Sequence, residues 1–452
     1  MILASWVVPA TLLKMSVAPA PEEKSPDPLP RSQGKGGASG GAARNDIQLL
    51  KDEGGGLLME EGITTVTFYT GNFRSSSEAV RAQFAQVVAA NPWLAGRLVK
   101  EKGGVLVRHP VNTDGMIESL FTATSADDAS AAFKHTPRTA YVDICTEMYK
   151  SKVVVVGSGY SLLGKDKPLT LLTLAESAPG AFALIFSMSH VVGDGRTYYE
   201  ILKMLQPGAA VRELPSTRVM TFSESMKDMC GRKELEWVDS ASAAFMYTFA
   251  MLPLMMGCAK KPRCYAFSLD AERLAAAKAE GAAAGGVPYV TTNDILTSGF
   301  FNECNARIGM MGLDCRDRVP GISKDLAGNY VSALVLGPEV FATPATLRKM
   351  YASTPYKTTV RPLPGCCCGN KTFAMVTNWS SFAGAIVPLE GCEMVVHLPV
   401  KNPAYVLWDL MIPFTSGPQG EKGVIIWTVS ADEAGLRQAL PVGESVSKEL
   451  FP

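Results

Sequence analysis

Between residues 62 and 430 the chain switches repeatedly between two hydrophobic periods, and this excludes an all-helical bundle, an all-β sandwich and any simple repeat array. Residues 64–69 alternate like a strand, whereas Val80, Phe84, Val87 and Val88 recur at helical spacing within residues 77–90 before Asn91-Pro92 stops the helix. Residues 153–156 and 181–188 read as short apolar strands, and 196–205 returns to a helix with Ile201, Leu202 and Leu205 on one side. Residues 264–269 look like a strand, Asp270 is placed to cap a helix over 272–284, and Thr343-Pro344 opens another with proline in its first turn. Residues 373–379, 393–398 and 423–429 are further strands. The pattern predicts an α/β protein with mixed sheets, built as two halves that join between about residues 214 and 262.

A chain of 452 residues, almost half of them hydrophobic, can bury two such cores. Acidic and basic residues number 43 each, so no basic field exists to hold nucleic acid by charge. Ten cysteines lack metal-ligand spacing, and Cys366-Cys367-Cys368 has no histidine cluster beside it. Neither a disulfide framework nor a metal site is therefore expected, and a reducing, cytoplasmic setting is.

Two segments differ from the rest. Residues 1–20 are apolar with one charge, Lys14, and 21–45 are rich in Pro, Gly, Ser and Ala. Together they read as a disordered leader or targeting segment, although the basic start of a secretory signal is missing. Residues 240–259 carry no charge and precede Lys260, Lys261 and Arg263, which resembles a spanning helix in length and flank. Pro253 and Gly257 weaken that reading, and one span would put the two halves on opposite sides of a bilayer. A buried or surface-lying helix is expected instead, with peripheral membrane contact or organelle association left open. The resulting division is 1–45 leader, 46–225 first half, 226–262 apolar crossover and 263–452 second half, in a monomer.

Chemistry concentrates in Phe186-Ser187-Met188-Ser189-His190-Val191-Val192-Gly193-Asp194-Gly195. An apolar strand delivers a histidine at its C-terminal end, a glycine-containing turn follows, and a helix begins. Imidazole titrates near neutrality, so at such an edge it can take a proton from an alcohol as a new bond forms. With four histidines and 41 glycines in the chain, H-x-x-x-D-G is expected by chance only roughly 0.02 times.

This hexapeptide resembles the H-x-x-x-D-G signature of the CoA-dependent acyltransferase superfamily. That group includes chloramphenicol acetyltransferase, plant BAHD acyltransferases, fungal alcohol acetyltransferases, wax ester synthases and peptide-synthetase condensation domains. Asn91-Pro92-Trp93-Leu94-Ala95-Gly96-Arg97-Leu98 resembles the helix-ending segment of plant and fungal members. Thr291-Thr292-Asn293-Asp294 resembles their S/T-x-N/S-D helix start, and Asp314-Cys315-Arg316-Asp317-Arg318 followed by Gly328-Asn329-Tyr330 resembles their D-x-R-x-R and G-N-Y stretch. The resemblance implies two chloramphenicol acetyltransferase-like halves around an active-site tunnel, entered by acyl-CoA from one face and by an alcohol or amine acceptor from the other. It implies His190 as general base, no permanently bound cofactor, and acyl-CoA as co-substrate. Asp194 would pair with Arg316, or alternatively Arg318, as an architectural contact, and Gly195 would leave room beside the histidine.

The chain also departs from the group. The plant D-F-G-W-G motif is absent; its nearest counterpart, Thr377-Asn378-Trp379-Ser380-Ser381-Phe382, looks more like fungal alcohol acetyltransferases. Ser380 there is either an oxyanion donor or a polar strand end. Ser189 replaces the first histidine of the H-H-x-x-x-D-G form of condensation domains and wax synthases, which argues against both. Gly159 to Lys165 mimics a phosphate loop but lacks its Ser/Thr, and no G-x-S-x-G elbow occurs. His109, His135 and His397 read as structural or exposed, and Trp93 and Trp379 as core. A soluble acyltransferase is the main reading. A membrane-associated lipid or pigment ester synthase and a non-catalytic binding or assembly module are the alternatives.

Overall fold

The computed structural model describes residues 44–445 except 129–132, 152–153, 241–242, 244–261, 357, 359–362, 364–372, 383–386, 404–405 and 407. Residues 1–43, nearly all of 240–259, and Cys366-Cys367-Cys368 thus lie outside the described residues.

Three sheets carry the chain. The five-stranded sheet runs in the order β12 (Glu393–Val400), β2 (Ile63–Thr70), β7 (Ala181–Met188), β6 (Thr170–Ala178), β5 (Phe121–Thr124). It is antiparallel except for the β5–β6 pair. The seven-stranded sheet has the order β10 (Val331–Leu336), β9 (Ile308–Asp314), β11 (Phe373–Val376), β13 (Asp409–Thr415), β14 (Lys422–Thr428), β8 (Arg263–Leu269), β15 (Val442–Ser445), with β11 parallel to both neighbours. A small third sheet joins β1 (Arg44–Gln48), β4 (Gly104–Pro110) and β3 (Arg97–Glu101).

The hydrophobic run of β7 follows from its central place. With β2 on one side, β6 on the other and both faces covered, seven of its eight residues are buried. Three threonines of β2 are buried too, and each finds a partner: Thr64 to Ser187 Oγ at 2.8 Å, Thr65 to Tyr198 OH at 2.8 Å, and Thr67 to His397 Nδ1 at 2.7 Å. β12 crosses over from the second half of the chain to pair with β2, from Val400 against Thr64 to Glu393 against Thr70. One hydrophobic cluster unites Phe186 of β7 with Met310, Met375 and Ile412 of the large sheet.

Capping chemistry sets the helices as their sequences suggest. Asp270 accepts from the amides of Glu272 and Arg273 at the start of Ala271–Gly285, and Thr343 caps Pro344–Tyr351. Two strand expectations differ. Val154 to Val156 are buried but join no sheet; Val156 instead bonds through its amide to Ser187 Oγ and through its carbonyl to the Gly62 amide. A buried valine run in a loop has the same composition as a strand. The strand expected over residues 373–379 ends at Val376, after which Thr377 and Trp379 still bond to β13 before a 3-10 turn at Ser380–Phe382.

β13 itself has no clean sequence signal because it contains Pro413. Its carbonyl accepts from the Trp379 amide, and the amide position of one strand residue faces the same side as its carbonyl. The missing N–H therefore faces the Thr377–Trp379 stretch beyond the end of β11 and takes nothing from the β13–β14 ladder. Among the described residues no helix is long and apolar enough to cross a membrane.

Candidate active site

His190 sits where β7 ends. The Ser189 amide bonds to Leu169 O at 2.8 Å, which holds the chain as it leaves the sheet. Four residues on, Asp194 is the N-cap of the helix Gly195–Met204 and accepts from the Thr197 amide at 3.0 Å. The turn between them is thus pinned at both ends.

A second segment, Gly328-Asn329-Tyr330, closes over this turn from the other half of the chain. Gly328 O accepts from the Asp194 amide at 3.2 Å, and the Tyr330 amide donates to Asp194 Oδ2 at 3.0 Å. Gly328 is held at φ +134°, and a Cβ there would lie 2.9 Å from the Arg218 guanidinium, so both backbone and packing demand glycine.

Asp194 is fully committed. Arg316 Nη1 donates to its Oδ2 at 2.9 Å and Nη2 to its Oδ1 at 3.2 Å, with the two side chains 1% and 4% exposed. The same guanidinium reaches Thr197 Oγ1 at 3.1 Å, Gly328 O at 3.0 Å, Leu326 O at 3.0 Å and Asp314 Oδ1 at 2.9 Å. Burial pushes the Asp194 carboxyl up, but the Arg316 charge and the hydrogen bonds from Arg316, Thr197 and Tyr330 outweigh it and hold the carboxyl below the usual range. Asp194 therefore faces Arg316 and not the imidazole.

The imidazole has a different partner. His190 Nδ1 lies 3.1 Å from Asn329 Oδ1. Asn329 Nδ2 donates to His190 O at 2.8 Å and to Glu53 Oε1 at 3.0 Å, and both of those atoms only accept. That fixes the amide orientation: Oδ1 faces the ring, so Nδ1 carries the proton and Nε2 keeps the lone pair. Burial lowers the His190 pKa below its ordinary 6.5, against the opposing charges of Glu60 and Asp194, so the ring is neutral at pH 7.

Glu53 in turn is buried completely and forked by Arg218, whose Nε stands 2.8 Å from Oε2 and 3.0 Å from Oε1. Arg218 Nη2 also donates to Val192 O at 3.0 Å, inside the histidine turn. Sequence reading missed both residues. Glu53 stands in a loop before the first long strand and Arg218 in a linker, where no periodic or motif signal marks them.

A cavity of about 560 Å³ opens beside this network, lined by His190, Gly195, Asn378, Trp379, Ser381 and Phe382 among others. A Cβ on Gly195 would come within 3.2 Å of the Phe382 ring, so glycine keeps this wall clear. Trp379, expected as core, is both core and cavity wall. Ser380 is buried, and its hydroxyl donates to Asn378 Oδ1 at 2.7 Å. Arg318, the alternative partner for Asp194, instead lines the cavity. His109 and His397 are buried, and His135 lies 3.2 Å from Glu147. Among the described residues no His, Cys, Asp and Glu group could hold a metal ion.

No family model matches the chain, and no curated protein matches its sequence. Solved structures do match in fold. TRI101 of F. sporotrichioides, complexed with coenzyme A and T-2, is 14% identical at a TM-score of 0.53, covering 87% of this chain and 96% of that one. Polyketide synthase associated protein 5 from Mycobacterium tuberculosis is 14% identical at 0.51, covering 87% and 95%. The first condensation domain of the CDA synthetase is 14% identical at 0.52, covering 84% and 91%. The chain has a mixed α/β fold that it shares with these three proteins.

Proposed function

We propose that the protein is an acyltransferase that moves an acyl group from a thioester donor such as acyl-CoA to a hydroxyl or amine. One observation carries the reading: Asn329 orients a neutral, buried His190 so that Nε2 is the basic nitrogen, beside a cavity of substrate size. Nε2 takes the acceptor's proton as the acceptor oxygen or nitrogen bonds to the thioester carbonyl carbon. The tetrahedral oxyanion then collapses, the carbon–sulfur bond breaks, and the imidazolium returns the proton to the leaving thiolate.

Ser380 serves as oxyanion donor in this reading by turning its hydroxyl away from Asn378 Oδ1. Asp194, Gly195 and Arg316 act through architecture, holding the turn that carries His190. Residues 46–225 and 263–452 form the two halves, 226–262 the crossover, and the cavity is the tunnel between the halves. The complex of TRI101 with coenzyme A supports acyl-CoA as the co-substrate. The stretch that would support a membrane-associated ester synthase, residues 240–259, lies almost wholly outside the described residues, and the intact His190–Asn329 geometry disfavours a non-catalytic module.

The test is direct. Purified protein is incubated with a panel of acyl-CoAs and alcohol or amine acceptors, free thiol is followed, and the product is identified by mass. Thiol release that depends on acceptor is expected; none above the protein-free blank for any pair would sink the reading.

A further inference from the structure

The cavity beside His190 is lined by three arginines, Arg196, Arg318 and Arg348. Two of them have counter-charges. Arg348 Nε donates to the buried Asp294 at 2.9 Å and its guanidinium stands over the rings of Tyr289 and Tyr351 at 5.0 and 5.4 Å. Arg196 lies 3.3 Å from Glu200 and 4.0 Å from Asp314. Arg318 is exposed and forms no ion pair among the described residues. The lining carboxylates cannot answer it, because Asp194 and Asp314 both bind Arg316. Burial holds the Tyr351 and Tyr356 phenols up, and the charge of Arg318, which lines the same cavity, opposes that shift without reversing it.

We propose that the ligand of this cavity carries a carboxylate that docks on Arg318 while its reacting group lies at His190. A guanidinium fork matches the two oxygens of one carboxylate, whereas a phosphate site ordinarily gathers several donors or a helix N-terminus. Tyr351, Tyr356, Trp379 and Phe382 supply flat apolar walls for an aromatic or extended body between the two ends. The proposal rests on the acyl-transfer reading for the position of the reacting group. It does not rest on that reading for the anion.

Two arms locate the carboxylate. In the acceptor arm, 4-hydroxybenzoate is compared with its methyl ester, using acetyl-CoA as donor. In the donor arm, malonyl-CoA is compared with propionyl-CoA, using a neutral alcohol. Binding of 4-hydroxybenzoate, its ester and malonate is also measured calorimetrically without turnover. The expected result is a preference of about 10- to 100-fold for the acid in at least one arm, as charge-assisted hydrogen bonds give. That ratio should fall towards one in Arg318→Gln and survive in part in Arg318→Lys. The arm that shows it assigns the carboxylate to acceptor or acyl group. No acid preference in binding or turnover, or one unchanged in Arg318→Gln, overturns the proposal. So does an Arg318→Gln defect with acyl-CoA that vanishes with the matching acyl-pantetheine, since the anion would then be a nucleotide phosphate. Selective binding of acids through Arg318 without any transfer would overturn the acyl-transfer reading and leave the carboxylate site standing.

Discussion

His190 and Asn329 hold each other twice, although 139 positions separate them: the ring Nδ1 meets Asn329 Oδ1 at 3.1 Å, and Asn329 Nδ2 meets the His190 carbonyl at 2.8 Å. One side chain thereby fixes both the backbone of the histidine and the tautomer of its ring. Glu53, held by Arg218, fixes Asn329 in turn. The network spans four separated segments, so the neutral base is a property of the folded chain.

Replacing Asn329 by alanine should release the ring and leave Glu53 short of a donor. Transfer is expected to fall about 10- to 100-fold, mainly in kcat, since a base of unfixed tautomer is only partly competent. Steady-state kinetics on the variant check this; a KM effect alone would mean that Asn329 only shapes the cavity.

His190→Ala should abolish transfer by about 100-fold or more while the protein still folds. In the parent, the pKa lowered from 6.5 places the acid limb of kcat/KM below that value. A pH profile that already falls at pH 7 would contradict the assignment, as would full turnover by the alanine variant.

Arg316→Gln should destabilise the protein by about 3–5 kcal/mol, because it leaves the buried Asp194 charge unpaired, and Asp194→Asn by less, because Arg316 keeps its pairing with Asp314. The double variant should lose less than the two losses added together. Denaturant unfolding of the four proteins measures the coupling, and strict additivity would show that the two charges do not depend on each other.

His397 supplies a pH signature of stability. It is buried between Thr67 Oγ1 and Tyr199 OH, and burial lowers its pKa to about 4. The unfolded chain takes up this proton near 6.5 and the folded one only near 4, so the stabilisation is complete above pH 6.5 and is lost as pH falls towards 4. The loss over that window is of order 3 kcal/mol. Urea titrations at several pH values should show this slope in the parent and a shallower one in His397→Gln.

Local chemistry made much of this protein legible without its structure. The strand that ends at His190 shows as an unbroken apolar run because β7 is covered on both faces. Asp270 and Thr343 announce helices because a cap needs only a side-chain oxygen within three residues of the amide it serves, whereas the helix that Thr291 caps is placed by resemblance. Asp194 was placed beside Arg316 only through resemblance, since no spacing rule connects residues 122 apart. Other features left no trace along the chain. Glu53 and Arg218 carry no local pattern, Val154 to Val156 imitate a strand, and Pro413 hides one. Which arginine of Arg316 and Arg318 is neutralised, and which faces the cavity, depended on how Gly328-Asn329-Tyr330 closes over the histidine turn. Periodicity and caps are interactions within a few residues, so they can be read along the chain. Burial, charge pairing and the tautomer of His190 depend on groups brought together from distant segments, so they exist only once the chain has folded.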